Sequence, residues 1–212
     1  PETEAYHKSR VLYGIDKAKG EIRNNNYALL VEGNMDVIAS WQSGIKNTVA
    51  VSGTALTIDQ IGIIKRYTKN LKMFFDMDSA GETATKKSIK MALAGDMEVK
   101  VVQLPQGKDA ADLAKEDPKK LLEAVRESLP AMEYIVKKTM SKHDPKDGTG
   151  KKKIVDELVE MLLMLENAVE KNHWIKKIAS LINIDESALT DTIKKANLKN
   201  RTESFQKVGD KE

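Results

Sequence analysis

The sequence predicts an α/β fold in which a mainly parallel sheet with flanking helices is followed by an all-α helical bundle. Short apolar runs alternate with helical patterns over residues 27–104, the connections between these runs are too long for hairpins, and helical patterns alone follow about residue 110. Such alternation is typical of parallel strands that are joined by crossover helices.

The predicted elements follow one another in a regular order. Apolar residues that recur every three to four positions predict a helix over residues 6–24. The predicted strands are Tyr27–Val31, Thr48–Val51, Leu71–Phe75 and Glu98–Leu104, and the helices between them are Asp36–Ser43, Thr57–Tyr67 and Gly81–Leu93. Thr57 and Gln60 match a capping box, in which each side chain bonds the other residue's backbone N–H.

The second half of the sequence contains helical patterns and one polar segment. Helices are predicted over Lys119–Leu129, Ala131–Met140, Ile154–Leu165, His173–Ile182 and Glu186–Ala196, and Ser141–Gly150 is predicted to be a loop or hinge. We therefore expect a lead-in helix over residues 1–26, an α/β domain over 27–115, a helical subdomain over 116–198 and a flexible tail over 199–212.

Composition narrows the class of protein. The 212 residues are 41% hydrophobic, which is enough for a core, and the net charge of +3 is too small to prove a nucleic-acid partner. The absence of cysteine excludes disulfides and thiolate metal sites and fits a cytoplasmic location. No apolar stretch approaches the roughly 18 residues of a membrane helix, so no membrane partner is expected. The first residue, Pro1, suggests a fragment of a longer protein.

Acidic residues follow three of the predicted strands. Glu32 follows the first strand, Asp76 and Asp78 follow the third, and Asp109 lies a few residues beyond the fourth. The carboxyl ends of parallel strands lie at one edge of a sheet, where ligands bind, so we expect these carboxylates to lie close together. Their mutual repulsion favours a bound cation, and oxygen ligands favour Mg²⁺ or Mn²⁺ over zinc.

Neighbouring residues fit phosphate chemistry at the same edge. Asp76 and Asp78 are two positions apart, so in extended backbone their side chains point to the same face. Gly33 and Gly81 flank the acidic residues and would let the backbone approach a metal ion or a phosphate. Gly81 would also open a helix, whose N-terminus favours an anion.

These motifs resemble the TOPRIM domain of topoisomerases, primases and some nucleases. Its signature is Glu-Gly after one strand and Asp-x-Asp after a later one, here Glu32-Gly33 and Asp76-Met77-Asp78. A wider set of motifs is similar to the bacterial DnaG-type primases over nearly all of residues 5–197. These motifs are HKSRVLYGIDKAK from His7, VEGNMDVI from Val31, VSGTALT from Val51, FDMDSAG from Phe75 and LPQGKDAADL from Leu104.

The resemblance implies a DNA primase catalytic core, which makes short RNA primers on single-stranded DNA from ribonucleoside triphosphates. It implies metal binding by Glu32, Asp36, Asp76, Asp78 and Asp109, with Glu32, Asp76 and Asp78 catalytic, and contact of Lys8 and Arg10 with template or nucleotide. It also implies a replicative helicase partner, bound by a domain beyond residue 212. The family's zinc domain and a basic template-binding segment would precede Pro1, so this fragment alone is expected to be weakly active or inactive.

The sequence departs from the family pattern at three places. Met77 replaces a glycine between two aspartates, Ala111 replaces an aspartate, and Asn34 replaces an aromatic residue. Ala111 removes a potential metal ligand, and Asp112 is displaced by one position, which rotates a helical side chain by about 100°. Asp112 is therefore expected to be an N-terminal helix residue, and Asp36 has an alternative role in favouring its helix through the dipole.

Three functions remain open from the sequence. The first is a metal-dependent nucleotidyltransferase of the primase type. The second is another TOPRIM enzyme, although a topoisomerase also needs a tyrosine nucleophile, which is not evident here. The third is a non-catalytic binding module that keeps the fold, to which the loss of an aspartate at Ala111 gives some weight.

Overall fold

The computed structural model describes residues 7–53, 55–75, 79–103 and 108–209. The chain divides into two units between Ala131 and Met132. The predicted boundary between the α/β and helical parts lies earlier, at residue 116.

A five-stranded sheet forms the centre of the first unit. Its strands, in spatial order, are β2 (Thr48–Ala50), β1 (Ala28–Val31), β3 (Asn70–Phe74), β4 (Glu98–Val101) and β5 (Leu129–Pro130). β1 pairs in parallel with β2 and β3, and β3 pairs in parallel with β4, which confirms the predicted mainly parallel sheet. β5 pairs antiparallel with β4. β5 was not predicted, because a two-residue strand leaves no periodic pattern in the sequence.

Helices flank this sheet. They are α1 (Ile15–Asn25), α2 (Asn34–Gln42), α3 (Ile58–Lys65), α4 (Ser79–Ala94), α5 (Ala110–Glu116) and α6 (Pro118–Arg126). Leu29 and Val31 of β1 lie in one apolar cluster with buried residues of α2, α5 and α6. Leu30, between them, points to the opposite face because side chains alternate along a strand. All four residues of β1 are fully buried, as expected for a central parallel strand.

The predicted helix over residues 6–24 is wrong in its first half. Lys8–Arg10 form a 3₁₀ turn, and Tyr13 then pairs with Ala50 in an isolated antiparallel bridge. Gly14 has φ +82°, a left-handed conformation that interrupts any helix, so α1 begins only at Ile15. The capping box of Thr57 and Gln60 at the start of α3 is confirmed.

The second unit is helical and contains α7 (Ala131–Lys142), from its second residue onwards, α8 (Gly148–Met164), α9 (Ala168–Ile182) and α10 (Glu186–Gly209). Its buried residues include Ile154, Leu158, Met161, Trp174 and Ile178. α10 extends to Gly209, where a flexible tail was expected from residue 199. α8 begins inside the polar segment Ser141–Gly150, so that loop is shorter than predicted.

Candidate metal and nucleotide site

Glu32 lies at the carboxyl edge of the sheet, directly after β1. Val31 is the register partner of both Ala50 in β2 and Phe74 in β3. The carbonyl of Glu32 accepts a hydrogen bond from Ser52 N at 3.0 Å, so the chain leaving β1 stays paired with the chain leaving β2. The exposed Glu32 and the buried Phe75 line a common cavity of about 250 Å³. Phe75 is the residue before Asp76, while Asp76 and Asp78 themselves lie outside the described residues.

Gly33 is the N-cap of α2 and approaches the Asp36 carboxylate closely. Its N–H donates to Asp36 Oδ2 at 3.0 Å, and a Cβ at position 33 would lie 3.1 Å from that same oxygen. The predicted close approach at Gly33 is therefore made to a side chain of its own helix. Gly81 lies inside α4, which begins two residues earlier, at Ser79.

Asp36 links the N-termini of α2 and α5. Its Oδ1 accepts a hydrogen bond from Ala111 N at 3.3 Å, while Oδ2 accepts from Gly33 N. Burial raises the pKa of Asp36, the hydrogen bond from Gly33 N lowers it, and repulsion by Asp109 raises it further. The structure therefore brings Asp36 and Asp109 close enough for their charges to repel each other.

Asp109 is the N-cap of α5, and Asp112 completes a reciprocal capping box. Asp109 Oδ1 accepts from Asp112 N at 2.7 Å, and Asp112 Oδ2 accepts from Asp109 N at 3.3 Å. Asp112 thus has the helix-capping position that the one-residue displacement predicted. Ala111 has no carboxylate, but its backbone N–H fixes Asp36.

The donor set fits a hard divalent cation. Glu32, Asp36 and Asp109 offer only carboxylate oxygens, and the repulsion between Asp36 and Asp109 would be relieved by positive charge. Within the described ranges, no three acidic or histidine side chains converge closely enough to form a metal site by themselves. A complete site would therefore need Asp76 and Asp78 in addition.

Lys8 and Arg10 lie in the 3₁₀ turn, beside the N-terminus of α3. Arg10 Nε lies 3.4 Å from Asp59 Oδ2 in an exposed ion pair, and Lys8 is partly buried. The turn is fixed to α3 by Gln60, whose side-chain amide donates to the carbonyls of Lys8 and Val11. From the sequence Gln60 was predicted only as a capping residue, since contacts between residues so far apart in sequence leave no local pattern.

A second contact that the sequence did not predict joins the segments after β1 and β2. Ser52 Oγ donates to Asn34 Oδ1 at 2.5 Å, next to the backbone bond between Ser52 and Glu32. Ser52 has φ +56°, an uncommon conformation for a residue with a side chain. Where the family has an aromatic residue, this chain has Asn34, whose side chain makes a polar contact beside Glu32. The neighbouring Ser52-Gly53 pair is the only local signal for this turn.

Comparisons with known proteins agree with this architecture. Residues 29–114 match the Toprim-like family, and residues 132–187 match the family described as the DnaB-helicase binding domain of primase. The DNA primase of Clostridium acetobutylicum is 33% identical over 196 residues, which cover 91% of this chain and 32% of that protein. The chain thus spans about a third of the length of the curated relatives that it matches.

Solved structures give the same result. The Aquifex aeolicus primase, comprising zinc-binding and RNA polymerase domains, superposes with a TM-score of 0.76 and 27% identity over 89% of this chain and 45% of that one. A DnaG primase catalytic domain bound to single-stranded DNA superposes with a TM-score of 0.78 and 27% identity over 89% of this chain and 61% of that one. Over most of its length the chain is therefore similar to the TOPRIM-containing part of the catalytic core of DnaG-type primases.

Proposed function

We propose that this chain provides the metal-binding part of a primase, a DNA-directed RNA polymerase that makes RNA primers on single-stranded DNA from ribonucleoside triphosphates during replication. The observation that carries the proposal is the strand register, which brings Glu32 and the residue before Asp76 to one edge of the sheet. Structures of relatives in complex with DNA support a DNA template as the partner.

The proposed ligands of Mg²⁺ or Mn²⁺ are Glu32, Asp36, Asp76, Asp78 and Asp109, of which Glu32, Asp76 and Asp78 are assigned catalytic roles. Such an ion would assist formation of the nucleophilic hydroxyl and neutralise charge on the triphosphate. Asp36 and Asp109 present carboxylates from the starts of two helices, and the backbone at Gly33 and Gly81 is assigned contact with the phosphates. Lys8 and Arg10 would contact the phosphates of template or nucleotide. Zinc is expected only in a separate domain, as in the Aquifex aeolicus protein.

Manganese binding tests the site directly. The variants Asp76→Asn and Asp78→Asn should weaken Mn²⁺ binding, measured by electron paramagnetic resonance, and should keep or raise the melting temperature of the metal-free chain because like-charge repulsion falls. Asp16→Asn, at an exposed position in the first turn of α1, is the matched control and should bind Mn²⁺ normally. A large drop in metal-free melting temperature for the site variants would contradict the proposal.

Primer synthesis separates the three functional alternatives. A longer protein that contains this chain should make primers from ribonucleotides, and Asp76→Asn should abolish that activity. Mn²⁺ binding without turnover in the longer protein would favour the non-catalytic module. DNA cleavage or relaxation without primer synthesis would favour another TOPRIM enzyme. Such a replication enzyme would act in the cytoplasm, and none of the helices in the described ranges has the length and hydropathy of a membrane span.

The second unit is a candidate for contact with the replicative helicase. That contact was expected in a domain beyond residue 212, whereas the helicase-binding family matches residues 132–187, inside the chain. Val169 and Leu181 of α9 are apolar and are 80% and 47% exposed, so both are accessible positions at which such a contact can be tested. Replacing both by serine should weaken binding of the chain to the helicase in size-exclusion experiments. Ile58→Ser, at a 60% exposed site of the first unit, should not change that binding.

A further inference from the structure

We propose that Gln60 is a positioning residue that holds the basic turn Lys8–Arg10 in place to meet a phosphate backbone. The inference rests on the proposed function, because it assumes that Lys8 and Arg10 contact template or nucleotide. Gln60 is fully buried, although glutamine usually lies at the surface. Its amide must therefore satisfy its hydrogen bonds inside the protein.

Each polar atom of the Gln60 side chain has a partner. Oε1 accepts from Thr57 N at 3.1 Å, which is the capping-box bond of α3. Nε2 donates to the carbonyl of Lys8 at 3.1 Å and to that of Val11 at 2.9 Å. The bond at Oε1 serves the helix, whereas the two bonds at Nε2 serve only the distant turn. One side chain therefore couples the start of α3 to the segment that carries both cations.

The turn depends on these bonds because its own structure is short. It is a 3₁₀ turn of three residues, none of them buried, with no side-chain cap. Such a turn has little intrinsic stability. Thr57 Oγ1 adds a hydrogen bond to the carbonyl of Ser9 at 2.5 Å, so the carbonyls of Lys8, Ser9 and Val11 are all fixed by one capping box. The chain becomes firmly anchored only afterwards, where Leu12 is buried and Tyr13 pairs with Ala50.

The same helix start also orients one of the cations. Asp59, next to Gln60, forms the ion pair with Arg10, whose side chain remains 70% exposed. Exposed ion pairs contribute little to stability, but they restrict the directions a side chain takes. The start of α3 thus fixes the backbone of the turn and limits the orientation of Arg10, which reduces the entropy lost when Arg10 binds a phosphate.

Hydrogen exchange of the 212-residue chain tests the structural half of the proposal. Gln60→Glu keeps an acceptor for Thr57 N but turns an oxygen towards the carbonyls of Lys8 and Val11, so both bonds are lost. Gln60→Met removes the donors without adding charge, and it covers the case in which Gln60→Glu fails to fold. Both variants should accelerate exchange of the Arg10 and Val11 amides and leave the amides of Tyr13 and Ala50 protected. Unchanged exchange in the turn overturns the proposal.

Binding of a labelled single-stranded oligothymidylate at low ionic strength tests the functional half. The Lys8→Ala/Arg10→Ala double variant should bind about tenfold more weakly, and the slope of log Kd against log salt should fall by about 1.4, as for two lost phosphate contacts. The Gln60 variants should show part of the loss of affinity and part of the fall in the salt slope. In the Lys8→Ala/Arg10→Ala background they should change neither quantity further. Thr68→Val removes another buried hydroxyl, which links Asn26 to the start of β3, and should leave the slope unchanged.

The outcomes distinguish this proposal from the proposed function. The positioning role alone is overturned if the Lys8→Ala/Arg10→Ala variant weakens binding as expected but the Gln60 variants do not. It is also overturned if the effects of the Gln60 variants and of the double variant on binding are additive. No effect of the double variant, or no binding by the unmodified chain, overturns the role of the basic turn and the positioning role with it. Mn²⁺ binding by the acidic residues is measured independently, so the metal site stands or fails on its own result.

Discussion

Substitution of Gly150 tests how closely the connection between α7 and α8 packs against the start of α8. It is the third residue of α8, and its N–H donates to Asp147 Oδ2 at 2.9 Å. A Cβ at this position would lie 2.0 Å from the carbonyl oxygen of Asp144 and 2.9 Å from its carbonyl carbon. Because both atoms belong to the backbone, no change of rotamer relieves the contact. Gly150→Ala therefore requires the turn before α8 to move.

The expected magnitude follows from two opposing terms. Carbon and oxygen atoms pack no closer than about 3.3 Å, so the turn must move by roughly 1 Å or more. Overpacking of this kind costs about 1–3 kcal/mol, and alanine returns up to about 1 kcal/mol through its higher helix propensity. We expect Gly150→Ala to lower the free energy of unfolding of the second unit by about 1–2 kcal/mol.

Gly148→Ala is the matched control, two residues away in the same helix. No atom lies within 4 Å of a Cβ at Gly148, so that substitution should stabilise the unit by about 0.5 kcal/mol. Urea unfolding followed by fluorescence of the buried Trp174, in a Trp41→Phe background, measures both changes. A Gly150→Ala variant as stable as Gly148→Ala would refute the reasoning and would favour a loose hinge over residues 141–150.

Three further predictions concern Asp36, the contact between Asn34 and Ser52, and the activity of the whole chain. Because the pKa of Asp36 is raised in the folded protein, this residue stabilises the fold most when it is protonated. The free energy of unfolding should therefore decline as the pH rises from 3.8 through the folded-state pKa of Asp36. Asp36→Asn should remove this decline in metal-free urea titrations. Asn34→Ala and Ser52→Ala should each lower the free energy of unfolding by about 0.5–1.5 kcal/mol. The double variant should lose less than the sum of the two single losses, because both substitutions remove the same hydrogen bond. The 212-residue chain alone should show no measurable unprimed RNA synthesis, and product formation on single-stranded DNA would contradict this.

Much of the sheet was predictable because its signals are local. β1 is a short apolar run and is completely buried, as a run without polar alternation indicates. The capping box of Thr57 and Gln60 was likewise visible in four consecutive residues. These features depend on side chains that are close in sequence, which is why composition and spacing sufficed.

The errors arose where distant residues decide the local structure. The apolar spacing of Leu12 and Ile15 suggested a helix from residue 6, but the pairing of Tyr13 with Ala50 and the left-handed Gly14 end that pattern. The link from Asp36 to Ala111 spans 75 positions, so no window of sequence indicated it. The positions of Asp76 and Asp78 lie outside the described residues, and their roles stay predictions.

In the described residues, both borders of the sheet offer little to a further strand. At one border β5 is two residues long and Pro130 has no N–H to donate, and at the other Tyr13 already occupies both backbone hydrogen-bonding groups of Ala50. Unprotected borders recruit strands from other molecules and begin aggregation. Opening either border, for example with Pro130→Val, should therefore promote self-association at high concentration even though the interior of the protein is unaltered.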